Sequence, residues 1–256
     1  SDYIEPMEAL ANSGREVIFY DQLGCGKSDQ PRDPSLWTCE LFCEEIGVIR
    51  KALGLEHIHL FGHSWGGMLA IEYALARPQG LTSLVLAGSP PNIPRFIGAV
   101  HALVEQLPQR VQQMIAKHEA AGTMSDPEYH EATIEFAQRH LCRADPWPDC
   151  FQRTFEQFTQ NPEVYNTMWG PSEFCATGTL KDWDRSPRLG EIDIPTLITS
   201  GRYDEATPAV MEELHRGIKG SRWVMFEESS HMPHIEEQGR YIRVVDEFLA
   251  QVEATL

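Results

Sequence analysis

A serine with the surroundings of a nucleophile lies in Phe61-Gly62-His63-Ser64-Trp65-Gly66-Gly67. The segment contains Gly-x-Ser-x-Gly between an apolar run at 58–61 and a helix-like stretch at 65–77, where a tight strand-to-helix turn lifts the hydroxyl clear of a sheet. Glycines two positions either side let the chain pass closely at that turn. The following helix would point its backbone N–H groups at a developing oxyanion. The spacing therefore predicts Ser64 as the nucleophile and Trp65 as an oxyanion donor.

A serine hydroxyl needs a base to take its proton and a carboxylate to orient that base. In sheets that carry this turn, the acid follows a late strand and the histidine follows the last one. Asp204 comes shortly after the apolar run 196–199, and His231 comes shortly after 223–226. We therefore predict Asp204 and His231 as the partners of Ser64, with His234 as the positional alternative to His231.

The elements that must position these residues alternate along the chain. Short apolar runs are interleaved with amphipathic stretches, which is typical of a parallel sheet covered by helices. Runs at 17–20 and 84–87 add two further predicted strands, while 35–53 and about 238–252 are predicted helices. We expect an α/β-hydrolase core, that is, a mostly parallel sheet with helices on both faces.

The interval between Pro90 and Pro187 has a different pattern. Its prolines mark turns between segments of helical period, and it shows no convincing strand. An insertion of that length between two strands predicts a helical cap that acts as a lid. We expect three parts: a first core part at 1–89, the helical cap at 90–187, and a second core part at 188–256.

Composition restricts the partners. The formal net charge is −17, so nucleic acid is disfavoured because its phosphates would be repelled. No apolar run is long enough for a membrane span, and the six cysteines lack zinc-type spacing, which favours free thiols in the cytoplasm. The close histidine pairs lack a third ligand. We expect no metal, and the triad needs no organic cofactor.

Four motifs are spread over essentially the whole chain: Asp21-Gln22-Leu23-Gly24-Cys25-Gly26-Lys27-Ser28, Gly62-His63-Ser64-Trp65-Gly66-Gly67, Trp169-Gly170-Pro171-Ser172-Glu173-Phe174 and Gly201-Arg202-Tyr203-Asp204-Glu205. Together they resemble those of the proline iminopeptidases, a family that includes related amino-acid amidases. The resemblance implies an α/β-hydrolase core with a helical cap, and release of an N-terminal residue, often proline. It also implies acidic side chains that hold the free amino group of a small peptide or amide substrate. By position these are Glu173 and Glu205, with Tyr165 a weaker candidate for the same subsite.

One family feature has no counterpart in the sequence. The family carries a His-Gly-Gly-Pro-Gly-type loop that supplies a second oxyanion N–H, and no such segment is present. Ser1-Asp2-Tyr3-Ile4 is similar to the residues that follow that loop. The comparison predicts that the first strands of the sheet and half of the oxyanion hole lie outside the given sequence.

Two other functions are compatible with the same motifs. An esterase or lactonase would use the same triad but would not need Glu173 and Glu205. A ligand-sensing receptor of the same fold would need no intact triad. An aminopeptidase-type amide hydrolase accounts for both the triad and the acidic residues, and it is our hypothesis from the sequence.

Overall fold

A four-stranded parallel sheet forms the centre of the protein, whose computed structural model describes residues 2–255. The spatial order of the strands follows the chain, and each strand is parallel to its neighbour. Parallel neighbours require a crossover connection, and helices lie between successive strands. The strands are β1 Ile58–His63, β2 Leu81–Ala87, β3 Thr196–Gly201 and β4 Arg222–Phe226.

Helices make up most of the remaining chain. They are accompanied by 3₁₀ segments at Asp2–Ser13, Pro34–Leu36 and Ser186–Glu191. Among residues 2–255, none of the helices combines the length and apolar character needed to span a bilayer. The α-helices are α1 Cys39–Leu53, α2 Trp65–Leu75, α3 Ile93–Val104, α4 Gln109–Ala121, α5 Pro127–His140, α6 Asp149–Gln160, α7 Glu163–Met168, α8 Pro208–Gly217, α9 Pro233–Glu236 and α10 Gln238–Glu253.

The sheet is buried on both faces. Successive side chains of a strand point to opposite faces, so Leu84 and Leu86 of β2 join one core and Val85 joins the other. The first core includes Met68 of α2, and the second includes Tyr241 of α10. The predicted parallel sheet with helices on both faces is therefore confirmed.

The ends of α1 follow from local chemistry. The Thr38 hydroxyl accepts a hydrogen bond from Leu41 N at 3.2 Å, and Gly54 ends the helix with φ of 68°. The predicted helix at 35–53 begins four residues early because Pro34–Leu36 forms its own 3₁₀ turn, capped by Asp33.

The interval between β2 and β3 contains α3 to α7 and no named strand within the described residues. Its two ends lie side by side. Asn92 and Asp184 form an antiparallel bridge, Ile93 N donates to Trp183 O at 2.9 Å, and Arg185 N donates to Pro91 O at 2.9 Å. A helical insertion can therefore leave and rejoin the sheet at nearly one point.

The predicted strand at 17–20 is wrong. Residues 15–20 have no regular secondary structure, and Ile18 and Phe19 are each 38% exposed. An apolar, β-branched run becomes a strand only when a neighbouring strand accepts and donates its backbone hydrogen bonds. Within residues 2–255, no strand pairs with this segment, and β1 pairs only with β2.

Candidate active site

Ser64 occupies the junction between β1 and α2. Its φ and ψ are 54° and −120°, a backbone conformation that costs a non-glycine residue about 1–3 kcal/mol. The turn is held against the end of the neighbouring strand, since Ser64 N donates to Ala87 O at 2.8 Å. The strained strand-to-helix turn expected from the motif is therefore present at Ser64.

The glycines around Ser64 differ in how much space a side chain would have at each position. A Cβ on Gly62 would lie 2.2 Å from the carbonyl oxygen of Gly66, and one on Gly67 would lie 1.8 Å from Ser89 Oγ. A Cβ on Gly66 would meet nothing within 4 Å. The expectation that both flanking positions must be small is thus wrong for Gly66, because its α-carbon faces open space.

Trp65 is the first residue of α2. The first four N–H groups of a helix have no partner inside it and lie at its positive end. The Trp65 N–H is therefore suited to donate a hydrogen bond to an anion. The indole is anchored elsewhere: Nε1 donates to Gln22 Oε1 at 3.1 Å, and the ring meets Phe42 edge-on at 6.0 Å between centroids.

Asp204 and His231 contact each other directly. They follow β3 and β4, and His231 Nδ1 donates to Asp204 Oδ1 at 2.8 Å. The same oxygen accepts from Ala206 N at 2.8 Å, and the two residues are only 1% and 3% exposed. Because the carboxylate holds the proton of Nδ1, the neutral ring leaves its lone pair on Nε2.

Gly88, which the sequence reasoning missed, makes room for this pair. It follows β2 with φ of 54°, and a Cβ there would lie 2.8 Å from His231 Nδ1 and 3.1 Å from Asp204 Oδ2. A glycine directly after a buried strand, in Gly88-Ser89-Pro90, was the available signal, since strand ends on this edge carry the site.

The three residues expected to bind the amine lie close to one another and near His231. Tyr165 donates its hydroxyl to Glu173 Oε1 at 2.8 Å. Glu205 is 1% exposed, and its Oε1 lies 3.8 Å from His231 Nε2. Its Oε2 is buried and has no hydrogen-bond partner in the described structure. The structure therefore brings together residues of the interval between β2 and β3 and of the loop after β3.

The buried charges perturb one another. Burial raises the pKa of Glu205 well above its usual range, and the Glu173 carboxylate adds to the rise. Burial also raises the pKa of Glu173, which the Tyr165 hydrogen bond partly offsets. For His231 burial favours the neutral ring, but Asp204, Glu205 and Glu173 outweigh it and raise its pKa to about 9. With three carboxyl groups around one imidazole and no nearby cation in the described structure, the negative charges repel one another, and these groups hold their protons to a higher pH than they would in water.

His234, the positional alternative to His231, lies in a different environment. It is fully buried, its Nε2 donates to Tyr3 O at 3.0 Å, and burial lowers its pKa to about 3. His63 supports the site from behind, because its Nε2 donates to the His231 carbonyl at 2.8 Å. His231, and not His234, contacts Asp204.

The end of α5 and the residues after it hold the two loops that carry Asp204 and His231. The His140 carbonyl accepts from His231 N at 3.2 Å, and its Nδ1 donates to the carbonyl of Tyr203 at 2.9 Å. The Arg143 guanidinium lies 3.9 Å from the centre of the Tyr203 ring. Sequence reasoning missed His140, since neither its spacing nor its neighbours mark it.

A separate group of possible metal ligands lies between α4 and α5. The ligand atoms of His118, Asp126 and Glu128 are all within 4.8 Å of one another. Protein partners already engage them: His118 contacts Glu128 at 2.9 Å, Lys117 pairs with the same carboxylate, and Asp126 accepts from Glu128 N at 2.9 Å. The group is therefore accounted for as the capped start of α5.

Comparisons with known proteins agree with this geometry. Residues 2–238 match the α/β hydrolase fold family. The proline iminopeptidase of Saccharolobus solfataricus is 43% identical over 252 residues, which are 98% of this chain and 81% of that protein. The crystal structure of VinJ is similar with a TM-score of 0.95 and 40% identity, covering 98% of this chain and 86% of the other. That of the Mycobacterium smegmatis proline iminopeptidase has a TM-score of 0.92 and 39% identity, covering 99% and 86%. The chain belongs to the proline iminopeptidase family of α/β hydrolases.

Proposed function

We propose that this protein is a serine aminopeptidase that releases N-terminal proline or a similar residue from small peptides or amino-acid amides. The observation that carries the proposal is a pair of carboxylates near His231, the buried Glu205 and the half-buried Glu173, without a lysine or arginine partner in the described structure. Buried carboxylates are costly unless a cation joins them. The ammonium group of a peptide's first residue is such a cation.

The reaction follows from the roles of the site residues. As Ser64 Oγ attacks the carbonyl carbon, its proton passes to His231 Nε2, while Asp204 holds Nδ1–H and stabilises the imidazolium. The Trp65 N–H stabilises the oxyanion. Nε2 then protonates the leaving amine as the C–N bond breaks. Water next attacks the acyl-enzyme, gives its proton to Nε2, and the returning proton restores Ser64 as the amino acid leaves.

The division into core and cap is part of the proposal. Residues 90–187 would form a cap over the two core parts, 1–89 and 188–256. The close approach of Asn92 to Asp184 supports these limits. Tyr165 and Glu173 come from the cap, so closing it would complete the amine subsite. The six free cysteines favour a cytoplasmic location.

An esterase or lactonase with the same triad is less well supported. A neutral substrate would cover the carboxylates of Glu173 and Glu205 without supplying a counterion, and that costs free energy. A non-catalytic receptor would have no use for the hydrogen-bonded Asp204–His231 pair.

Matched substrates test the function. We expect hydrolysis of L-proline p-nitroanilide, with kcat/KM at least about 100-fold above that for its N-acetyl form, because acetylation removes the charge that the carboxylates bind. The Ser64→Ala variant is the control and should cleave neither. Equal rates on the free and acetylated substrates would contradict an aminopeptidase. A panel of other aminoacyl anilides, amides and esters would then define the preferred first residue and bond.

A further inference from the structure

The nitrogen that must accept the Ser64 proton faces a carboxylate. His231 Nε2 lies 3.8 Å from Glu205 Oε1, while Nδ1 on the other side is bonded to Asp204 at 2.8 Å. The imidazole is thus held between two buried carboxylates. Burial makes an ionised Glu205 costly, so its carboxyl and Nε2 compete for a proton, and a proton on Nε2 leaves Glu205 as the anion that stabilises it. A protonated ring cannot act as a base.

Among the described residues, the other groups that face His231 and Asp204 do not balance these charges, and burial lowers the pKa of His140, which lies beside Asp204. Glu173 faces His231 from the interval between β2 and β3 and adds a further negative charge. His63, from the end of β1, and His234, from α9, both have a lowered pKa and are neutral near pH 7. In the described part of the chain, no lysine or arginine lies within 4.0 Å of Asp204 or Glu205.

We propose that Glu205 keeps His231 protonated in the free enzyme and that the substrate's ammonium group, on pairing with Glu205, releases this proton to solvent. The bound cation cancels the charge that favoured the imidazolium, and Nε2 becomes free to take the proton of Ser64. The inference rests on the proposed function in one respect, namely that the amine binds at Glu173 and Glu205. The N-terminal amine would then act in the chemical step as well as in binding.

This coupling predicts that kcat, and not only KM, distinguishes substrates with a free amine from their N-acetyl forms. An N-acetyl substrate would lose an ion pair and would also meet an enzyme whose base is still protonated. Its kcat would fall near neutral pH, and raising the pH would recover part of that loss. If the ammonium group paired with Glu205 but did not change the protonation of His231, acetylation would raise KM and leave kcat unchanged.

The first test measures the base without any amine. A neutral fluorophosphonate bonds to Ser64 Oγ with loss of fluoride, and its labelling rate reports the unprotonated fraction of His231. In the wild type we expect the rate to rise with pH to an inflection near 9. Glu205→Gln should move that inflection down by about 1–3 pH units. Glu212→Gln, which removes an exposed carboxylate on α8, is the matched control and should leave it unchanged.

The second test uses the wild type alone, so it stands even if Glu205→Gln folds poorly. Saturating pyrrolidine, a cation at pH 7, should accelerate labelling of Ser64 by roughly tenfold or more at that pH. Neutral N-acetylpyrrolidine should not accelerate it. An inflection that is the same in wild type and Glu205→Gln, or labelling that pyrrolidine fails to accelerate although it binds, would overturn the proposal.

The two proposals fail in different ways. If the coupling is wrong but the function is right, prolyl anilides are cleaved and depend on Glu205, while the labelling profile of Glu205→Gln matches that of the wild type. If the function is wrong, the acetylated and free anilides react alike and pyrrolidine does not bind. In that case the profile of Glu205→Gln still reports on the Glu205–His231 pair.

Discussion

Asp204, which holds His231 through one nitrogen, leaves one of its own oxygens without a partner. Oδ1 takes two hydrogen bonds, from His231 Nδ1 and Ala206 N, whereas the buried Oδ2 takes none in the described structure. A residue optimised for stability would not leave a buried carboxylate oxygen unpaired. Functional residues can carry such a cost in stability, and the role proposed for Asp204 is to stabilise the charged His231 ring.

Removing any member of the proposed triad should abolish most turnover without unfolding the protein. For Ser64→Ala, Asp204→Asn and His231→Ala we expect kcat to fall by about 10³-fold or more. Circular dichroism and thermal unfolding would verify that each variant folds. His57→Ala, at an exposed position, is the control and should keep full activity. Near-normal turnover by His231→Ala would move the base to His234.

The amine subsite should respond to loss of one charge. Glu173→Gln keeps the shape and the contact with the Tyr165 hydroxyl but removes the carboxylate. We expect kcat/KM for L-proline p-nitroanilide to fall by roughly 10–1000-fold, because the substrate ammonium loses a charge partner. Tyr165→Phe should have a smaller effect, since it removes only one hydrogen bond. An unchanged kcat/KM in Glu173→Gln would exclude Glu173 from the subsite.

The turn between β1 and α2 offers a matched pair of glycine substitutions. Gly62→Ala should destabilise the fold and abolish activity, because its Cβ would overlap the backbone of Gly66, which cannot move aside. Gly66→Ala should fold normally and gain up to about 1 kcal/mol, since its Cβ meets open space and alanine favours the helix. Thermal unfolding and fluorophosphonate labelling of both variants test this. Equal tolerance at the two positions would contradict the packing described for the turn.

Glu236 at the end of α9 joins the loop of His231 to the segment that follows α5. Its carboxylate accepts from Ser230 N at 2.8 Å and from Arg143 N at 2.7 Å. Glu236→Ala should cost about 2–4 kcal/mol of stability, because it leaves backbone donors without partners. It should also lower kcat by about 10–100-fold through misplacement of His231. Glu228→Ala, at an exposed position in the same loop, should change neither. Full kcat in a folded Glu236→Ala, assayed well below its Tm, would show that this contact does not position the loop.

Some elements could be predicted from the sequence and others could not. The parallel strands around β2 and β3 were predictable because each is a short apolar run between helices, and the run must be buried. Residues 17–20 have the same composition but no described strand beside them, and a local pattern does not contain that information. In the site, Ser64 and His231 follow from motif order. Gly88 and His140 act through contacts between distant segments, so no spacing rule reveals them.

Burial of histidine links the site to the stability of the whole molecule. His63 and His234 lie behind His231 with their rings close together, at 5.1 Å between centroids. Burial lowers the pKa of both, so the native state keeps them neutral. His231 behaves oppositely: its raised pKa of about 9 adds stability at low pH that is lost as the pH rises through 9. The same cluster is therefore expected to lower the stability of the fold both at acidic pH and at alkaline pH.

Acid should unfold the protein through the two neutral histidines. Below the unfolded-state pKa of about 6.5, the unfolded chain binds a proton at each site and the native state does not. Stability thus falls with falling pH, by about 1.4 kcal/mol per pH unit for each group, down to a pH of about 3 for His234. In His234→Gln, whose amide can still donate to the Tyr3 carbonyl, the dependence of unfolding free energy on pH between 6 and 4.5 should weaken by about one proton. His57→Gln, at an exposed position, should leave the slope unchanged. Denaturant unfolding at several pH values measures the slope, and equal slopes for wild type and His234→Gln would mean that His234 already takes up a proton within the folded protein.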